Sequence, residues 1–224
     1  MKIRPYGLEE YQRLVHVSLG RTPASVCFLN ARFLNVYTGQ IDQGNIYLAG
    51  KRIAYVGNKQ FPLGPETKVI EADENTILVP GYIEPHTHPC QMYNPLTWGE
   101  ALLKEGTVAS MNDNLTLLML LEQQALNFIE ELDACGKHLW LWWCTFDAKK
   151  TAVARSPEFL QTWMKHSLVV QGGEFTAWSA FLHDDPDLLN TMYALKTAFG
   201  KRVEGHLPGA SAETLNALAA AGIG

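Results

Sequence analysis

Apolar and polar residues follow two different patterns along the chain, and each predicts a different kind of structure. Over residues 8–19 the apolar positions recur at helical spacing, which predicts a short amphipathic helix within an N-terminal arm, residues 1–24. From Ser25 onward, short runs rich in β-branched and aromatic residues are separated by turn formers, which is typical of a small antiparallel β domain, residues 25–76. Its predicted strands are 25–29, 32–36, 45–49, 52–56 and 68–71, with Gly50-Lys51 as a two-residue hairpin turn.

After Thr76 the pattern changes to strands and helices in alternation, which favours an open doubly wound α/β sheet or a (β/α)8 TIM-type barrel. We predict the first part of a barrel, about five β/α units over residues 77–224. A complete barrel takes about 250 residues, so we expect an N-terminal fragment of a longer protein, with a sixth strand due at its end. The predicted strands are 77–82, buried on both faces of the sheet, then 107–111, 138–143, 167–170 and 202–204; the longest predicted helix covers 116–134.

Composition and charge exclude several classes of protein. The 224 residues carry a formal net charge of -5, which provides no positive surface for nucleic acid. No apolar run reaches the roughly 20 residues that span a bilayer, and the first residues lack the apolar core of a secretory signal. The four cysteines are dispersed, with no CxxC pair. Together these features predict a cytoplasmic protein with no membrane or nucleic-acid partner.

The strongest chemical signal is the pair His86 and His88, which directly follows an apolar strand. Side chains at positions i and i+2 of an extended chain share a face, so both imidazoles can point to one place. That place is the C-terminal end of a barrel strand, where barrel enzymes carry their active sites. Because neutral imidazole binds zinc, iron and manganese, we predict that both histidines are metal ligands.

Further polar residues follow the later barrel strands. Glu174 comes after the fourth predicted strand, and its two oxygens can bridge two cations, whereas His206 comes after the fifth and can bind the second cation. Asn112 and Asp113 end the second strand, which places them at the mouth of the site as weaker candidates for substrate binding. We therefore predict two divalent metal ions, with Mn, Fe or Zn as equally suitable identities.

Four segments carry the motifs of a known family. They are NVYTG at 35–39, GKRIAYVG at 50–57, PGYIEPHTH at 80–88 and GHLPG at 205–209. With these motifs, residues 25–224 resemble the amidohydrolase superfamily and, within it, the adenine deaminase family. The chain departs from the family after the second strand, where Asn112-Asp113-Asn114 replaces Asp-Pro-His-Glu, and also after the histidine pair. It therefore resembles a divergent branch of the family.

The resemblance implies a hydrolase that acts on C–N bonds other than peptide bonds, by hydrolytic deamination of adenine or a purine-like heterocycle with release of ammonia. It implies that His86 and His88 bind one metal ion, that Glu174 bridges and that His206 binds the other. The family's catalytic aspartate is expected beyond Gly224, so the 224 residues alone are expected to be inactive. Manganese, a role in purine metabolism and a homo-oligomer are further expectations from the resemblance.

Two alternatives stay open at this point. One is a cyclic amidase of the hydantoinase or dihydroorotase type, which bridges its metals with a carboxylated lysine; Lys149 becomes the candidate if the predicted strands are shifted. The other is a non-catalytic protein that kept the amidohydrolase fold for assembly. The second alternative conflicts with the retention of three candidate histidine ligands.

Overall fold

The computed structural model of the chain describes residues 7–135, 138–146 and 157–224. Contacts between residues divide the chain into two compact units, with the division between Pro80 and Gly81. None of the helices in the described ranges is long and apolar enough to cross a membrane. The predicted fold class is confirmed: a small β sheet precedes a curled parallel sheet with helices between its strands.

The first unit is a five-stranded sheet with one helix. Strands β1, β2 and β3 are antiparallel neighbours, as predicted, whereas β4 and β5 both pair with β1 in parallel. The sheet is therefore mixed rather than purely antiparallel. Its elements are α1 (Leu8–Ser18), β1 (Val26–Asn35), β2 (Gln40–Ala49), β3 (Arg52–Gly57), β4 (Lys68–Glu71) and β5 (Ile77–Leu78).

Local sequence explains the hairpins of this sheet. The turn predicted at Gly50-Lys51 is confirmed, because Ala49 pairs with Arg52 across it. The strands predicted separately over 25–29 and 32–36 form one strand, β1, with an irregularity between Phe28 and Ala31. A small core beneath the sheet buries Val17 of α1 together with Ala24, Cys27, Tyr47 and Ala49.

The described residues of the second unit form five parallel strands in the order β10-β9-β8-β7-β6, so neighbours in the chain are neighbours in the sheet. Ile223 pairs in parallel with Val203 on the outer edge of β10, which agrees with the expected start of a sixth strand. The strands are β6 (Tyr82–Thr87), β7 (Thr107–Asn112), β8 (Leu139–Cys144), β9 (Val169–Phe175) and β10 (Arg202–Gly205). The helices are α2 (Pro89–Met92), α3 (Pro95–Lys104), α4 (Leu115–Leu121), α5 (Ala125–Cys135), α6 (Pro157–Lys165), α7 (Trp178–Leu182), α8 (Pro186–Thr197) and α9 (Ala212–Ala220).

Two predicted elements of this region were wrong. The strand predicted over 77–82 is divided: Ile77–Leu78 joins the first sheet, and the first barrel strand begins at Tyr82. Tyr82 and Ile83 are also exposed rather than buried on both faces of the sheet. The helix predicted over 116–134 is broken at Glu122, whose φ of 48° interrupts the hydrogen-bond ladder between α4 and α5.

Acid should weaken the second unit through His138, a buried histidine whose Nε2 lies 2.9 Å from Ser110 Oγ. Burial lowers the pKa of His138 below its ordinary value of 6.5. Because the unfolded chain takes up a proton that the folded ring resists, the free energy of unfolding should fall as the pH drops below about 6.5. Urea denaturation at two pH values measures how much the free energy of unfolding changes with pH. This change should be smaller for His138→Gln than for the wild type. His183→Gln, at an exposed position, is the control. The prediction is contradicted if the free energy of unfolding of His138→Gln changes with pH as much as that of the wild type.

Candidate metal centre

The predicted ligand residues all lie at the C-terminal edge of the parallel sheet. His86 is in β6 and His88 follows it, Glu174 is in β9, and His206 directly follows β10. Parallel strands present their carboxyl ends at one edge, so residues more than a hundred positions apart in sequence converge. Trp143 of β8 packs on the His86 ring, with ring centroids 4.4 Å apart. The ring is therefore held in place from the sheet side.

Nitrogen and oxygen atoms of these side chains converge within a few ångströms. His86 Nε2 lies 3.2 Å from His88 Nε2, and Glu174 Oε2 lies 3.7 Å from each of these nitrogens. The other carboxylate oxygen, Glu174 Oε1, contacts His206 Nε2. Glu174 is thus central to the cluster, and each of its oxygens faces a different set of imidazoles.

This donor set fits a metal cation. Each neutral imidazole carries a lone pair on the ring nitrogen that lacks the proton, and the Glu174 carboxylate adds negative charge. Such groups repel one another at these distances unless a proton or a cation lies between them. Imidazole and carboxylate are also the ligands preferred by zinc, iron and manganese. Among the described residues, two overlapping groups could hold an ion: His86, Glu174 and His206, and His88, Asp113 and Glu174.

Asp113 and Asn112 are enclosed by the protein and contact other protein atoms. Both are buried. Asn112 Nδ2 donates to the carbonyl oxygens of Ser110 and Leu141, and Asp113 Oδ2 lies 3.1 Å from His88 Nδ1. Their assignment to substrate binding stays a prediction, and these bonds favour positioning roles instead.

Sequence reasoning missed Thr145, which follows β8 and reaches Asp113. Its hydroxyl donates to Asp113 Oδ1 over 3.1 Å. Glu84 was also missed; its Oε1 accepts a hydrogen bond from the His86 backbone nitrogen. A polar residue directly after a barrel strand was the available signal for Thr145. Lys149, the candidate of the cyclic-amidase alternative, lies outside the described residues.

Cys90 lies close to the cluster but differs from the other candidates in its charge state. Burial, with a further contribution from the Asp113 carboxylate, raises the pKa of Cys90 to about 11. The side chain is therefore a neutral thiol near neutral pH. The groups of described residues whose atoms converge closely enough to hold an ion consist of imidazoles and carboxylates.

Comparison with known proteins supports the resemblance seen in the sequence. A protein of Bacillus cereus named "Putative adenine deaminase" is 37% identical over 210 residues, which cover 91% of this chain and 35% of that protein. The predicted resemblance to adenine deaminases is confirmed. An adenine deaminase of Thermosipho melanesiensis is 26% identical over 215 residues, covering 92% of this chain and 36% of the relative. The chain therefore spans about a third of the length of the adenine deaminases it matches.

Solved structures agree on the fold. A β-aspartyl dipeptidase from Fervidobacterium islandicum superposes with a TM-score of 0.56 over 88% of this chain and 55% of that one, at 13% identity. At this identity the likeness concerns the fold alone. No family model matches the chain. The adenine deaminase resemblance thus rests on relatives that match nearly the whole chain, and the barrel architecture on the superposition.

Proposed function

We propose that His86, His88, Glu174 and His206 provide ligands for two divalent metal ions in a hydrolase of the adenine deaminase type. The observation that carries this proposal is the position of Glu174. One of its oxygens faces His86 and His88, and the other contacts His206. A carboxylate with its oxygens directed at separate imidazoles is suited to bridge two cations.

The side chains around the cluster support this role by fixing the ligands. Trp143 packs on the His86 ring, and Asp113 Oδ2 lies 3.1 Å from His88 Nδ1. Glu174 is the least exposed of the proposed ligands, with 19% of its side chain accessible, whereas His206 is 58% exposed. When bound, the metal ions lower the pKa of water enough to supply hydroxide near neutral pH.

The proposed reaction is hydrolytic deamination of adenine or a similar purine. Water adds to the ring carbon that bears the amino group, and the resulting tetrahedral carbon expels ammonia. A carboxylate must carry the proton from water to the leaving group; we propose that it lies outside these 224 residues. This chain then contributes ligands and their positioning, but not the proton transfer.

The identity of the bridging residue also distinguishes this proposal from a cyclic amidase. The alternative needs a lysine as the bridging residue, whereas the bridge proposed here is Glu174, which is shared by both groups of described residues that could hold an ion. Glu174→Lys discriminates between the two, since a cyclic amidase tolerates lysine as the bridging residue. A deaminase built on a carboxylate bridge does not.

Ammonia release tests the substrate. We expect that this chain, joined to the remaining two thirds of the Bacillus cereus relative, releases ammonia from adenine when loaded with Mn, Fe or Zn. The unmodified relative serves as the positive control, and hydantoin and dihydroorotate serve as substrates of the alternative. The proposal fails if a folded, metal-loaded chimera produces no ammonia from adenine under conditions in which the relative does.

A further inference from the structure

We infer that Asp113 is a positioning residue that keeps the proton of His88 on Nδ1 and thereby leaves Nε2 free to bind metal. The inference rests on the proposed metal site and adds a residue to it. It also gives Asp113 a role other than the substrate contact predicted from its place at the end of β7. The argument depends on which atoms face each side of the His88 ring.

The two nitrogens of His88 face different partners. Nε2 lies 3.2 Å from His86 Nε2 and 3.7 Å from Glu174 Oε2, within the ligand cluster. Nδ1 lies 3.1 Å from Asp113 Oδ2. An ionised carboxylate only accepts hydrogen bonds, so the Nδ1 atom that faces it carries the proton. In this tautomer Nε2 has a free lone pair, the form required for metal binding.

The second oxygen of Asp113 is anchored by two donors. Asp113 Oδ1 accepts from the Leu115 backbone nitrogen and from the Thr145 hydroxyl, each over 3.1 Å. Thr145 is itself fixed, because its backbone nitrogen donates to Asn114 Oδ1 over 2.9 Å. Asp113, Asn114 and Thr145 are all buried. The carboxylate therefore keeps Oδ2 directed at His88 and does not rotate without losing both bonds to Oδ1.

These anchors determine what asparagine would do at this position. The Leu115 N–H requires an acceptor, so the amide oxygen of Asp113→Asn takes the place of Oδ1. The amide NH2 group then faces His88 Nδ1, which must accept a hydrogen bond and give up its proton to Nε2. That tautomer blocks metal binding. Asp113→Ala has no such group, and Nδ1 then keeps its proton with water as the acceptor.

The test is zinc affinity, measured by chelator competition with Zn²⁺ on the 224-residue chain and its variants. We expect Asp113→Ala to weaken Zn²⁺ binding on the order of 10-fold and Asp113→Asn on the order of 100-fold, the two ends of the range for residues that orient metal-bound histidines. The larger loss in the more conservative variant is the signature of tautomer control. An equal loss in both variants, or a larger loss in Asp113→Ala, overturns the inference and indicates that Asp113 is itself a ligand.

A spectroscopic readout separates this inference from the proposed function. In the metal-free chain, ¹⁵N NMR of the His88 ring should show a protonated Nδ1 in the wild type and a protonated Nε2 in Asp113→Asn. An unchanged tautomer overturns the inference even if the wild type binds zinc. Absence of zinc binding in the wild type contradicts the proposed metal site, while the NMR result still decides the role of Asp113.

Three further variants guard against a simple folding defect. Thr145→Val removes one anchor of Asp113 at nearly constant volume and should weaken Zn²⁺ binding several-fold. Thr145→Ser keeps the hydroxyl and should bind Zn²⁺ as the wild type does. Glu130→Gln is the matched control, because Glu130 Oε1 lies 2.9 Å from His166 Nε2 in a histidine–carboxylate pair outside the site. A loss of zinc affinity in Glu130→Gln equal to that in Asp113→Asn contradicts a site-specific role.

Discussion

Replacing Glu174 with glutamine is expected to lower the Zn²⁺ affinity of the chain by more than about 100-fold, beyond the range for residues that only orient a ligand. The carboxylate is the common member of both groups that could hold an ion. Glutamine has nearly the same shape but no charge and a single oxygen, so it serves at most one of the two positions. The measurement is chelator competition, with metal content by elemental analysis.

The same substitution should leave the metal-free fold intact. Glutamine fills the volume of glutamate and retains a polar group toward His206, so thermal unfolding without metal should occur at nearly the wild-type temperature. In the presence of Zn²⁺ the wild type should gain stability and Glu174→Gln should not, because an ion that binds only the folded state raises its free energy of unfolding. Equal stabilisation of both proteins by Zn²⁺ contradicts the proposed role of Glu174.

The largest loss of stability is expected from Gly205→Ala, at the end of β10. Gly205 pairs with Phe175 of β9, and a Cβ at this position would overlap the Phe175 carbonyl oxygen and lie 2.6 Å from its carbonyl carbon. Backbone atoms of a central strand cannot relieve the overlap by a change of rotamer, so the two strands must separate. We expect a loss of about 3 kcal/mol in the free energy of unfolding, near the top of the overpacking range.

Gly205→Ala should also weaken metal binding, because the affected carbonyl positions a proposed ligand. The His206 backbone nitrogen donates to the Phe175 oxygen over 3.0 Å, and separation of the strands breaks this bond. Gly209→Ala, in the loop that follows β10, is the matched control. Its φ is 77° and no atom lies within 4 Å of the added Cβ, so it should cost only about 1 kcal/mol of backbone strain. If Gly205→Ala and Gly209→Ala lose the same amount of stability, the predicted overlap at Gly205 is contradicted.

The sequence predicted the architecture of the second unit because parallel barrel strands follow one another in the chain as they do in the sheet. Five apolar runs separated by helices therefore fixed the strand order, and the residues that follow the strands came to one edge. This explains how His86, Glu174 and His206 were found without knowledge of any contact between them. Thr145 directly follows β8, so its place at the same edge of the sheet could have been predicted in the same way.

Other features depended on contacts that local patterns do not record. Residues 77–82 form one apolar run, but Ile77 and Leu78 pair with β1 in the first sheet. The break between α4 and α5 has no glycine or proline to mark it, and Met119 and Leu120 are left exposed beside it while Leu117 and Leu118 are buried. For Ile77 and Leu78 the pairing partners, Arg32 and Phe33 of β1, lie far away in the sequence.

The sequence by itself determined the fold class, the order of the barrel strands and the edge of the sheet at which the proposed metal ligands gather. Only the tertiary structure decided what each of these side chains faces. It directed the oxygens of Glu174 to separate imidazoles and put the buried Asp113 carboxylate next to His88 Nδ1. The physical reason is that periodicity reports which face of an element a residue occupies, whereas hydrogen-bond partners depend on the packing of elements against one another.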